Sequence, residues 1–185
     1  MLNPIPSEVD VAVIGAGSAG LPAFRAAREH TDRVILIERG PHGTTCARVG
    51  CMPSKLLIAA AEAAHGMEIA PGFGIHPGSI SIDGEAVMER VRRERDRFVG
   101  FVLDGVDRID PEQKISGQAR FVEDSRLEIG NSQVRAGRVV IASGTSPAIP
   151  DFLEQVRDRV SVNDDVFELS LIHISEPTRR LEIGY

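Results

Sequence analysis

The chain has 185 residues, 42% of them apolar and 26% charged, with a formal net charge of −6. This is the composition of an ordinary globular chain of one domain or slightly more, and 21 basic against 27 acidic residues leave no cationic excess for a nucleic-acid partner. No stretch is long and apolar enough to span a bilayer, and the opening MLNPIPSEVD is neither a secretory signal nor an Arg-rich presequence, so no membrane is expected and the cytoplasm is the default location.

Val9 to Ile14 is a short apolar run that reads as a buried parallel strand. After a glycine turn, Leu21, Ala23, Phe24, Ala26 and Ala27 have helical spacing, predicting a helix that ends near His30. Val34 to Ile37 is a second buried strand, closed by Glu38, which completes a strand–helix–strand unit with a right-handed crossover. Residues 55–64 are Ala-rich and helical, and 71–81 form a Gly- and Pro-rich loop. Val87, Val91, Phe98, Val102 and Val106 predict one amphipathic helix over about 84–106. On it, Arg90, Arg92, Arg93, Arg95 and Arg97 alternate with Glu89, Glu94 and Asp96, the pattern of a solvated face. Residues 119–122, 126–129 and 133–134 then read as an antiparallel meander, and 139–142 as a further buried strand ending at Ser143-Gly144. The expected architecture is α/β: a Rossmann-like dinucleotide-binding fold with a parallel sheet, a helical layer and a small antiparallel β-meander.

Gly15-Ala16-Gly17-Ser18-Ala19-Gly20 fits G-x-G-x-x-G. Gly15 permits the tight turn, Gly17 the approach of a pyrophosphate, and Gly20 the packing of helix on strand. A helix N-terminus presents free N–H groups and partial positive charge to an anion. Glu38, at the end of the next strand, suits ribose hydroxyls and repels a 2′-phosphate. A glycine string alone also describes a plain turn; the strand before it, the helix after it and the acid beyond point to a dinucleotide site, without choosing between FAD and NAD.

The stretch from Gly43 to Lys55, GTTCARVGCMPSK, carries the chain's two cysteines with four residues between them, just ahead of a helical segment. A helix starting near Cys51 would favour a thiolate there, and such a pair can cycle between dithiol and disulfide. Two buried thiols or half of a metal site are the plainer alternatives. Zinc is disfavoured, because no second Cys pair or spaced His pair completes four ligands.

The order of glycine turn, ribose acid and C-x-x-x-x-C-x-P-S-K resembles the class I pyridine nucleotide-disulfide oxidoreductases, a family that includes dihydrolipoamide dehydrogenase, glutathione reductase and mercuric reductase. Gly117-Gln118-Ala119-Arg120-Phe121 resembles the family's strand near the adenine, and VVIASGTSP (139–147) its second flavin-contact segment, with Ser143 in place of a usual Thr. Pro53-Ser54-Lys55 is more similar to the lipoamide and mercuric enzymes than to glutathione reductase, whereas Thr44 and Ala47-Arg48 depart from the common pattern.

The resemblance implies FAD as cofactor and NAD as co-substrate of the intact enzyme, dihydrolipoamide dehydrogenase activity first, and mercuric or another disulfide reduction as the rival; a non-catalytic flavin-binding module is a third reading. Cys46 would be the thiol that exchanges with substrate, Cys51 the thiol beside the flavin, and Lys55 a cation next to its ring system. Gly15, Gly17, Ser18, Ala19, Glu38, Arg39, Thr45, Ala119, Ala142, Ser143 and Gly144 would hold the cofactor. The implied partners are a small dithiol or disulfide, lipoyl domains of 2-oxo acid dehydrogenase complexes, and a second copy of the intact chain. Residues 1–150 would be the N-terminal part of the FAD domain and 151–168 a linker towards an NAD domain. LSLIHISEPTR (169–179) coincides with the translation of a transposase adapter used in sequencing libraries, so 169–185 is expected to lie outside the fold.

Overall fold

The computed structural model describes residues 5–170, so the expectation for the tail lies, from residue 171 on, outside the described residues. The chain divides into two compact units, one formed by the chain up to Cys46 with Val99–Ser146, the other by Ala47–Phe98 with the chain from Pro147.

The first unit holds a sheet of six strands, β1 (Glu8–Ile14), β2 (Val34–Glu38), β3 (Lys114–Ser116), β4 (Ala119–Glu123), β5 (Arg126–Ile129) and β6 (Ser132–Ile141), in the order β3-β2-β1-β6-β5-β4. The strands β3, β2, β1 and β6 run parallel, and β6, β5 and β4 antiparallel. Both faces of the parallel part are covered, which is why β2 is uninterrupted VILI. On one face Val34 and Leu36 join Val13, Leu21 and Phe24 from helix α1 (Gly20–Arg28), with Val106 from the end of helix α4 (Gly84–Asp107). On the other, Ile35 and Ile37 meet Val9, Ile115 and the meander residues Leu127, Ile129 and Val134. Each such side chain contributes about 1.5–3 kcal/mol by leaving water, so these two clusters hold the sheet that carries the turns above it.

The runs at 133–134 and 139–142 are one strand rather than two. The polar stretch Arg135–Arg138 between them looks like a break, yet β6 continues through it. It pairs antiparallel with β5 over its first half (Ile129↔Ser132 to Arg126↔Arg135) and parallel with β1 from Glu8↔Arg135 to Ile14↔Ile141. Gly137 allows that crossing, since a Cβ there would stand 3.1 Å from the Asp10 carbonyl oxygen. The three-residue β3 is too short to leave a period in the sequence.

In the second unit, helix α2 (Thr45–Val49) contributes its last residues and helix α3 (Cys51–Ile69) follows, longer than its Ala-rich centre. It runs on through Gly66 into a 3₁₀ turn at Ala70–Phe73. The stretch Asp151–Arg159 is also 3₁₀, broken at Val156. The Arg-rich part of α4 is not wholly solvated. Arg92 donates to the carbonyls of Phe167 (3.1 Å), Glu168 (3.2 Å) and Leu169 (2.9 Å). The Arg95 side chain, only 12% exposed, pairs with Asp96 and Glu168. Burial works against its charge, but hydrogen bonds and the charges of Asp96 and Glu168 outweigh it, and the guanidinium is held above its ordinary pKa. Among the described residues no helix is long and apolar enough to cross a membrane.

Candidate dinucleotide and thiol site

β1 ends in the glycine turn. Gly15 has φ +103°, and a Cβ there would fall on the Ala142 carbonyl oxygen. A Cβ on Gly20 would fall on the carbonyl of Gly15. These two glycines are required by the protein itself. Gly17 is different: nothing lies within 4 Å of where its Cβ would be. Its lack of a side chain serves no internal contact and leaves an open approach to the backbone. The turn winds into α1 through the bond from Leu21 N–H to Gly17 O (3.1 Å), and Ala19 at the N-cap supplies no side-chain acceptor to the helix start. An anion can take that role.

Glu38 sits at the end of β2 and is tied down on three sides. Its carboxylate accepts from Ala16 N–H (2.7 Å) and Gly40 N–H (2.9 Å). Its backbone carbonyl accepts from Gly117 N–H (2.9 Å). Next to it lies a cleft of about 220 Å³, where Gly15, Glu38, Arg39, Ala119 and Ser143 come together. A second cleft, of about 470 Å³, gathers Gly17, Ser18, Ala19 and Thr45 against Ala142, Ser143 and Gly144. Ser143 belongs to both clefts, and the open glycine Gly17 lines the second. Such clefts form where a strand order reverses at the carboxyl ends of an open sheet, and here β1 lies between β2 and β6.

The sequence reading left out Ile14, Ile37, Gly117 and Gln118 in the first cleft, and Ile141 and Thr145 in the second. Gly117 had a signal in the adenine-strand motif. The structure adds the reason for glycine, since φ is +157° and a Cβ would come 2.8 Å from Ile129 Cγ2.

Cys46, half-buried, is the last residue of the first unit; Cys51, exposed and a free thiol, opens α3 in the second. Ser54 Oγ donates to the Gly50 carbonyl (2.8 Å) at that helix start. Lys55 lies on α3, exposed.

A family model, pyridine nucleotide-disulphide oxidoreductase, matches residues 9–176. The chain is 36% identical over 159 residues to a mercuric reductase of Streptomyces lividans, covering 80% of this chain and 33% of that protein. It is 37% identical to a mercuric reductase of Serratia marcescens (77% and 32% covered) and 32% identical to a glutathione reductase of Burkholderia cepacia (88% and 35%). The chain thus spans about a third of the length of the curated relatives it matches. Those relatives are reductases of mercury and of glutathione rather than dihydrolipoamide dehydrogenases. Among solved structures, the Cu(II) complex of the HOCl-induced flavoprotein disulfide reductase RclA from Escherichia coli superposes with a TM-score of 0.66 at 21% identity, over 86% of this chain and 34% of that one. That similarity establishes the mixed α/β fold.

Proposed function

The chain belongs to the pyridine nucleotide-disulphide oxidoreductase family, and from that premise we propose that it is the flavin-holding, thiol-bearing part of an enzyme that moves electron pairs between a pyridine nucleotide and a thiol-reactive substrate. The observation that carries the reading is the pair of clefts that share Ser143, the second of them lined by a glycine that no protein contact requires. FAD fits that chemistry: Gly17 and the α1 N-terminus would hold its pyrophosphate, and Glu38 with Ala119 its adenosine. Bound there, FAD supplies the two-electron step.

The chain's own residues do the rest. With Cys46 and Cys51 joined as a disulfide, a substrate thiolate attacks Cys46, forms a mixed disulfide and releases Cys51 as a thiolate. A second substrate thiol then attacks that mixed disulfide, the substrate leaves as its own disulfide, and both cysteines are left reduced by two electrons. Lys55 supplies positive charge on α3. Run backwards, the same exchange reduces a substrate disulfide.

The substrate reading divides in two. Dihydrolipoamide, with NAD, is one substrate that Pro53-Ser54-Lys55 suits, and the same residues suit a mercuric enzyme equally. Thiol-bound Hg(II) is supported by the mercuric reductases among the relatives. Assaying the intact protein with NADH and NADPH against lipoamide, glutathione disulfide and Hg(II)–thiol complexes separates them. Lipoamide turnover supports the first and Hg(II)-dependent nucleotide oxidation the second. Bound flavin with no thiol-dependent turnover, unchanged by Cys46→Ser, would leave only a flavin-binding module.

A further inference from the structure

We infer that Glu38 is a clasp that orders the phosphate-binding turn and the loop leading to Cys46 as one piece; the link to cofactor binding rests on the flavin reading above. A carboxylate kept only for ribose hydroxyls would leave its oxygens facing the cleft. Here each oxygen already has a backbone donor, Oε2 the N–H of Ala16 inside the glycine turn and Oε1 the N–H of Gly40 at the start of the loop that leads into α2 and Cys46. The Glu38 carbonyl holds Gly117, a wall of the same cleft, and Ile37 O accepts from Gly15 N–H (2.8 Å). The end of β2 therefore fixes the turn, the loop and the cleft wall together. Hydrogen bonds to a charged acceptor are the strong kind, and two of them converge on one carboxylate.

This geometry makes Gln an informative replacement. A ribose hydroxyl donates or accepts, so it tolerates an amide. Two backbone N–H groups need two acceptors, and Gln offers one, turning an NH₂ donor towards the other. Glu38→Gln should therefore loosen the turn or the loop even with no ligand present.

The experiment is residue-resolved amide exchange on the full chain, wild type and Glu38→Gln, with iodoacetamide labelling of both thiols. In wild type, the Ala16 and Gly40 amides should be protected above their unbonded neighbours. In Glu38→Gln, at least one should lose that protection, and Cys46 should alkylate several-fold faster while Cys51 is unchanged. Because Cys51 is already exposed, a general loss of stability is read instead from the core amides of β1, β2 and β6, which should keep their wild-type protection. FAD affinity should fall by about tenfold or more. Unprotected Ala16 and Gly40 amides in wild type would overturn the clasp without any variant being needed. So would a Glu38→Gln protein with both amides protected and Cys46 labelled at the wild-type rate. If no protein binds FAD while the exchange results hold, the flavin reading fails and the clasp stands.

Discussion

At the scale of single residues, the three glycines of the turn do different work and should fail differently. Gly20→Ala drives a methyl into the Gly15 carbonyl, and the rigid backbone on both sides cannot yield cheaply. We expect a loss of at least about 2–3 kcal/mol, or no folded protein. Gly17→Ala meets open space, so its thermal unfolding should stay within about 0.5 kcal/mol of wild type while FAD affinity drops. Unfolding curves and flavin titrations on the two variants check this, and a Gly17→Ala protein that binds FAD normally contradicts the assigned approach. The sequence made the glycine pattern legible, and it placed Gly15, Gly17, Glu38 and Ser143 near one another through a motif. It could not show that Glu38 spends both oxygens on backbone donors, because that depends on how the Gly40–Thr45 loop folds back, and no periodicity encodes it.

At the scale of elements, long runs with a clear period were readable and short or doubly bonded ones were not. β1, β2, α1 and α4 follow from uninterrupted apolar runs or helical spacing. β6 was split in sequence because its middle, Arg135–Arg138, is polar and carries Gly137. It is one strand because β1 and β5 bond its two edges at different ends. The arginines of α4 were read as solvent-facing from their alternation with acids, a pattern that says nothing of segments distant in sequence. Arg92 reaches three carbonyls more than seventy residues away. Arg92→Ala should destabilise the second unit by about 1–2 kcal/mol, reduced from the full value by its partial exposure, and Arg92→Lys should recover little because one ammonium cannot span the three acceptors. Denaturant titration followed by exchange at 166–169 measures both. For Arg95 the folded pKa is raised, so its contribution is fully present below the unfolded value and is lost only as pH rises through the folded one. The stability difference between wild type and Arg95→Gln should therefore show no pH step between neutral and moderately alkaline solution, and a step in that difference would contradict the pairing with Asp96 and Glu168.

At the scale of the whole molecule, the glycine turn, Glu38 and Ala119 are held by a single sheet in one unit, and Cys51 and Lys55 belong to the other unit. The chain belongs to the pyridine nucleotide-disulphide oxidoreductase family, and the relatives it matches are mercuric and glutathione reductases of which it spans about a third. The central claim, that the clefts sharing Ser143 hold FAD, has one direct measurement. The intact protein is purified, its bound cofactor is released and identified, and the stripped protein is titrated with FAD by fluorescence quenching. The account predicts FAD as the released cofactor and saturable rebinding at one per chain, sharply weakened by Gly17→Ala. A folded protein that releases no flavin and gives no saturable FAD binding would contradict it.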